Sequence, residues 1–175
     1  HVALDANGMP ANSPDHHQLI PEIRGKLGEA RSIFLSLSPK WDSSRAPAGC
    51  RAVTLTTHTE IQPWWDAAGT EAYEERKQAY AERMLNAVEA YLPGFRRHII
   101  FSLPGTPVTY EHYTGRVGGM VGGFAQTSLF RARTPLTGFP NLLMVGDSIF
   151  PGQSTAGVTL GAVRVARMVE RRAMP

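Results

Sequence analysis

The chain has 175 residues, 42% of them apolar, one cysteine and a formal net charge of +3, enough for one domain with a buried core. The lone Cys50 can form no internal disulfide and no zinc site with the scattered histidines, which predicts no metal and makes a reducing cytoplasm the default. The basic excess is mostly arginine, with lysine only at 26, 40 and 77; no aromatic-interleaved basic stripe occurs, which argues against nucleic acid, and no apolar run approaches a membrane span.

The chain opens at His1 with no methionine and no signal-peptide pattern, and its first stretch, to Pro21, is polar and turn-rich, as expected of a chain entered in the middle. Residues 32–38 alternate apolar and polar and predict a strand with one face buried. A loop at 41–49 leads to a second strand at 50–58, and the two are expected to pair as a loose hairpin. Pro63-Trp64-Trp65-Asp66 breaks the pattern. Tyr73, Tyr80, Met84, Val88 and Tyr91 then recur at helical spacing, with Glu71, Glu74 and Glu75 crowding the first turn, and predict a helix over 70–91. Leu92-Pro93-Gly94 ends it. Residues 97–103 predict another strand, followed by Pro104-Gly105-Thr106-Pro107. The Gly-rich stretch 115–124 does not match the G-x-G-x-x-G spacing of a pyrophosphate loop and lacks the preceding strand; no G-x-x-x-x-G-K occurs either. By itself the chain therefore has no usual cradle for a dinucleotide.

The chemistry gathers near the C-terminus. An apolar run at 141–145 ends in Gly146-Asp147-Ser148, and Ile149-Phe150-Pro151-Gly152-Gln153-Ser154 leads into a segment opening on small residues. This order predicts a buried strand at 141–145 that delivers a carboxylate, then a helix whose N-terminus offers free N–H groups to an anionic or carbonyl oxygen. From 156 to 172, Val158, Val163, Ala166 and Val169 fall near one face and Arg164, Arg167 and Arg171 on another, an amphipathic helix. Gly157 and Gly161, one turn apart, would let it approach a sheet or cofactor closely. The same residues also suit a plain strand–turn–helix unit, with Asp147 as a turn or capping carboxylate. A Gly-Asp-Ser hydrolase with Ser148 as nucleophile fits poorly: the last histidine, His112, lies upstream, and the serine block of such hydrolases comes early in the chain. The G-x-S-x-G elbow is absent too.

The stretch 145–153, V-G-D-S-x-F-P-G-Q, resembles the FAD-contacting C-terminal segment of the phytoene desaturase and carotenoid isomerase flavoproteins. The resemblance extends over about 16–171, through Ser36-Leu37-Ser38-Pro39, Trp41-Asp42, Arg45-Ala46-Pro47-Ala48-Gly49, Thr57-His58-Thr59, Pro63-Trp64, Gly105-Thr106-Pro107, Tyr113-Thr114-Gly115 and Gly118-Gly119. Isomerase-like members usually continue Pro-Gly-Gln-Gly, whereas Ser154 follows Gln153 here. The resemblance implies an α+β C-terminal fragment of a two-domain flavoprotein. Residues 1–134 would be a substrate-domain segment with a mixed or antiparallel sheet, and 135–175 the terminal strand and helix of the FAD-binding domain. It implies FAD redox chemistry on an apolar isoprenoid or polyene, with Gly146, Asp147, Ala156, Gly157 and Val158 at the cofactor and no residue assignable as catalytic acid or base. Trp41, Trp64 and Trp65 are candidates for substrate contact, although tryptophan is more often core. The expected partners are the missing N-terminal FAD-binding half, an apolar lipid-like substrate, a peripheral membrane contact and, for the isolated fragment, copies of itself. A non-catalytic module binding an apolar ligand or protein is the alternative from another class.

Overall fold

A computed structural model describes residues 1–120, 122, 128, 130, 132–152 and 154–173. Gln153 of the Pro-Gly-Gln block, and Val121, Gly123 and Phe124 of the Gly-rich stretch, lie outside the described residues. The chain forms two compact units, His1–Gly119 and Met120–Pro175.

The first unit is an α+β layer. Its strands are β1 (Val2–Asp5), β2 (His16–Leu19), β3 (Ile33–Leu37), β4 (Cys50–Thr56) and β5 (Ile99–Ser102), in the sheet order β2-β3-β4-β1-β5. Every neighbouring pair is antiparallel. β3 and β4 pair as the alternation predicts, with Leu35 opposite Leu55 and Leu37 opposite Val53. Period-2 geometry then sends Ile33, Leu35 and Leu37 to one face, where all three are buried. Val2 and Leu4 of β1 and Val53 of β4 join them. Against this core packs α2 (Glu71–Tyr91), which begins after Thr70 as the acidic first turn predicts. Tyr80, Leu85 and Val88 form its buried face, with Tyr73 and Met84 at the margin. Phe95, just beyond the helix, is fully buried; each such side chain is worth about 1.5–3 kcal/mol of hydrophobic stabilisation. Pro93 stops α2, and Glu89 reaches past its end to accept the amides of Gly94 (2.7 Å) and Arg96 (2.8 Å).

Arg51 is the one charged residue among the buried ones of the sheet. It lies opposite Leu4 on the core side, so its charge needs partners inside the protein. Its Nε donates to the Ser38 carbonyl at 2.5 Å and an Nη to Asp15 at 2.6 Å. This pair ties the approach to β2 onto β4.

Four elements here differ from the sequence expectation. The opening stretch holds two strands, β1 and β2, rather than turns alone. They are short, and β2 is His-His-Gln-Leu; sheet context, not propensity, decides such segments. The Pro63-Trp64 break is a short helix, α1 (Gln62–Ala67), in which Pro63 occupies the first turn, where it loses no helical hydrogen bond. After Pro104 comes a further helix, α3 (Pro107–Thr114), started by a reciprocal Thr106–Thr109 capping box and ended by left-handed Gly115. A tight turn at Val117–Gly119 follows. There a Cβ on Gly119 would fall 2.0 Å from the Pro107 carbonyl oxygen, so only glycine fits.

The second unit ends in α4 (Thr155–Ala173), the predicted amphipathic helix. The strand predicted at 141–145 is not formed. A single antiparallel bridge joins Leu143 to Leu136. Around it the backbone is satisfied piecemeal: the Met144 amide donates to the Pro135 carbonyl (2.9 Å) and the Leu142 carbonyl accepts from the Thr137 hydroxyl (2.8 Å). Pro135, opposite Met144, brings no N–H to return that bond, so the bridge does not grow into a ladder on that side. Ile149 and Pro135 are fully buried, whereas Leu142, Val145, Phe150, Leu160, Val163 and Val169 are exposed. Among the described residues no helix is long and apolar enough to cross a membrane, and no cluster of three or more His, Cys, Asp or Glu could hold a metal ion.

Candidate functional site

The turn between 146 and 154 is shaped by glycines in forced positions. Gly146 has φ +119°, a backbone conformation that side chains rarely adopt, and among the described residues nothing stands within 4 Å of where its Cβ would be. Its backbone is therefore approachable. Gly152 is the opposite case: a Cβ there would lie 2.4 Å from the Asp147 carbonyl oxygen and 2.6 Å from that of Ile149. At Gly157 a Cβ would lie 2.7 Å from the Gly152 carbonyl oxygen and 3.0 Å from that of Pro151. The turn thus folds back onto the first turn of α4 with room only for hydrogens. Ile149, fully buried, pins it, and its Cδ1 lies 3.9 Å from where a Cβ on Gly161 would be. At Gly157 the close approach is to the chain's own turn, whereas at Gly161 the neighbour stands at ordinary van der Waals distance.

Ser154 caps α4. Its hydroxyl accepts the Gly157 amide at 2.9 Å and its carbonyl the Val158 amide at 2.8 Å. Of the three amides that the resemblance points at a cofactor, those of Gly157 and Val158 therefore have partners within the helix start. Ala156, exposed at the second helical position, is the one whose amide has neither of these. Asp147 and Ser148 are half-buried in the turn, and Asp147 has a partner within the fold. Gly146, Asp147, Ala156, Gly157 and Val158 are thus gathered in one turn and helix start. Two further contributors were not among the sequence candidates. Ser154 was legible as a cap, a serine three residues before Gly157, while the steric demand on Gly152 depends on backbone closure that spacing does not reveal.

The tryptophans are placed very differently. Trp64 is 3% exposed: it is a core residue, and the expectation that it contacts substrate gives way to packing. Its indole N–H donates to Thr59 Oγ1 (3.0 Å), its ring meets Tyr73 and Tyr80, and the Arg76 guanidinium lies 5.1 Å from its centroid. The Thr59 hydroxyl in turn donates to Glu29 (2.8 Å). Burial pushes the Tyr80 phenol above its ordinary pKa. Trp65 is half-buried at the core margin, and Trp41, 83% exposed, stands on the loop after β3. Among the described residues no ring contact joins Trp41 to the other two.

Comparison with known proteins finds the chain similar, over nearly its whole length, to a portion of carotenoid isomerases and desaturases. It is 30% identical over 174 residues to the chloroplastic prolycopene isomerase of Daucus carota, covering 97% of this chain and 28% of that protein. The chloroplastic prolycopene isomerase of Arabidopsis thaliana is 31% identical, with 97% and 29% covered. The neurosporene-forming phytoene desaturase of Cereibacter sphaeroides is 28% identical over 171 residues, with 90% and 31% covered. The chain spans less than a third of the length of these relatives. No protein-family model matches it.

Proposed function

We propose that the chain is the C-terminal part of an FAD-dependent oxidoreductase acting on an apolar isoprenoid or polyene by desaturation, saturation or isomerisation, and that it is inactive alone. Its similarity to carotenoid-processing relatives over 97% of its length is the observation that carries this. In this proposal 1–134 belongs to the substrate domain and 135–175 completes the FAD-binding domain, whose dinucleotide-binding half is supplied by sequence beyond this chain.

The residues present fit such a cofactor. Gly146 offers open backbone, Asp147 a half-buried carboxylate beside it, and α4 an N-terminus whose capped first turn leaves the Ala156 side exposed. FAD, when bound, supplies the hydride chemistry. Asp147 would accept hydrogen bonds from its hydroxyls, the Gly146 backbone would lie along the phosphate side, and the start of α4 would favour negative charge on the ring through its dipole. Ser154, Gly152 and Gly157 hold that geometry. The exposed Leu142, Val145, Leu160, Val163 and Val169 would be covered by the remaining half. The unformed strand at 141–145 would gain its ladder from the same source, since a continuous apolar run suits a strand covered on both faces. Lacking that half, the isolated chain is expected to self-associate. The lone cysteine leads us to place the protein in a reducing cytoplasm, and a polyene substrate, which resides in lipid, adds peripheral contact with a membrane.

The test is FAD content. The isolated chain should be colourless and bind FAD weakly, whereas the complete gene product should purify with it. A yellow, stoichiometrically loaded preparation of the chain alone would refute the division of labour, and a complete product without flavin would refute the function.

A further inference from the structure

We propose that the outer edge of β5 is a docking edge for one more β-strand, supplied by the part of the polypeptide that its relatives have and this chain does not. The proposal rests on the reading of the chain as part of a longer protein.

β5 is a terminal strand of the sheet and pairs only with β1 among the described residues. Its outer row of N–H and C=O groups therefore has no strand partner there, and such a row is a template for another strand. The side chains around it are unusual for a free edge. Ile100, Phe101 and Leu103 are 61%, 58% and 55% exposed. Phe101 lies opposite Ala3, on the open face of the sheet, whereas Ile99 lies opposite Leu4 on the core side. The pairing shifts between these two rungs, which leaves Ile100 out of the ladder. That irregularity is the only edge-blunting device in Ile99–Ser102, which contains no charge and no proline.

The opposite edge shows what a solvated edge of this sheet looks like. β2 sends His16 and Gln18 outward and buries His17 and Leu19, and Arg51 holds the preceding Asp15 against β4. One edge is polar, the other apolar, in the same sheet. The occupant follows from length: the chain covers 28% of one relative and 31% of another, so most of the polypeptide that could supply a strand lies outside it. Its five strands are already ordered in the sheet, and among the described residues no other remains to cover β5. A strand presenting apolar side chains beside Ile100 and Phe101 would satisfy both the backbone row and the exposed surface.

Hydrogen–deuterium exchange resolved to the peptide covering 99–103 tests this, with the isolated chain and the complete gene product measured side by side. In the isolated chain only amides bonded to β1 should be slow. In the complete product the remaining amides should exchange roughly tenfold more slowly or better, and Phe101→Lys should return them towards the fast rate. Equal exchange in both preparations would overturn the proposal. So would protection in the isolated chain that grows with concentration alongside a dimer mass, since the occupant would then be a second copy. FAD content of the same complete product separates the two claims: flavin present with β5 unprotected sinks the docking edge alone, and β5 protected without flavin sinks the function alone.

Discussion

Gly157 and Gly161 lie one turn apart in α4, yet replacing each by alanine should move stability in opposite directions. Alanine in place of glycine in a helix interior gains about 1 kcal/mol from propensity alone. At Gly161 the new methyl would meet, among the described residues, only Ile149 Cδ1, at 3.9 Å, an ordinary van der Waals contact, so the gain stands unopposed. At Gly157 the methyl would be driven to 2.7 Å from the Gly152 carbonyl oxygen and 3.0 Å from that of Pro151. Both are backbone atoms and cannot rotate aside. Forcing a methylene into filled space costs about 1–3 kcal/mol, and the helix gain is smaller at Gly157, in the first turn, so a net loss near 1–2 kcal/mol is expected. For a chain of this size each kcal/mol moves Tm by about 2–4 °C. Thermal unfolding followed by far-ultraviolet circular dichroism should therefore show Gly161→Ala above the wild type and Gly157→Ala below it. In the complete product, Gly157→Ala should also lower FAD retention, because the helix start is pushed off the turn that carries Asp147. Two shifts of the same sign would show that the turn does not pack on α4 as described.

In the complete product, Asp147→Ala should weaken FAD binding about tenfold or more, since charge-assisted hydrogen bonds are worth roughly 1.5–3 kcal/mol each; Asp147→Asn should be milder, and unchanged affinity would leave Asp147 a turn residue. Ser148→Ala should leave cofactor content unchanged, whereas loss of an ester-hydrolysing activity in that variant would favour the hydrolase chemistry instead. Asp15→Ala should destabilise the first unit by about 1.5–3 kcal/mol, because the buried Arg51 guanidinium loses its charged partner; urea unfolding measures it. Glu89, bonded to the Arg96 and Gly94 amides, has its carboxyl held below the ordinary value of 4.5. Its folded pKa is depressed, so its contribution is complete above 4.5 and is lost as pH falls through the folded value. The gap in urea midpoint between wild type and Glu89→Gln should be wide at neutral pH and close in acid; a gap independent of pH would refute the role.

Elements with a strong internal period were legible in the sequence. β3 and α2 carry their burial pattern in the order of their own residues, and α4 shows its two faces by spacing, whereas β4 was legible as a strand but not in its burial, since it buries Arg51 and exposes Ala52. β1 and β2 were not legible, because four residues each give no period and their partners are distant in sequence: Val2 pairs with Val53 and Ser102. The 141–145 run shows the converse. Its composition states what the segment is suited to, but a strand exists only with a neighbour, and here Pro135 restricts what the facing segment can offer. At the site, Gly146-Asp147-Ser148 and the helix start stood out through their small residues. Trp64 takes the core place that is the commoner one for tryptophan, and sequence could not separate it from Trp41, because an indole looks the same there whether it lines a surface or, bonded to Thr59 and ringed by Tyr73 and Tyr80, fills a core.

The placement of the three tryptophans gives the molecule a built-in optical gauge. Trp41, in solvent, should emit at long wavelength and be quenched readily by iodide, whereas Trp64, sealed beneath Arg76, should emit to the blue and resist quenching. Emission from a Trp41→Phe chain would then come from Trp64 and its half-buried neighbour Trp65, so the blue component reports the junction of α1 and α2 without an added label. A quencher titration on the intact chain would separate loosening of that junction from events at the loop after β3.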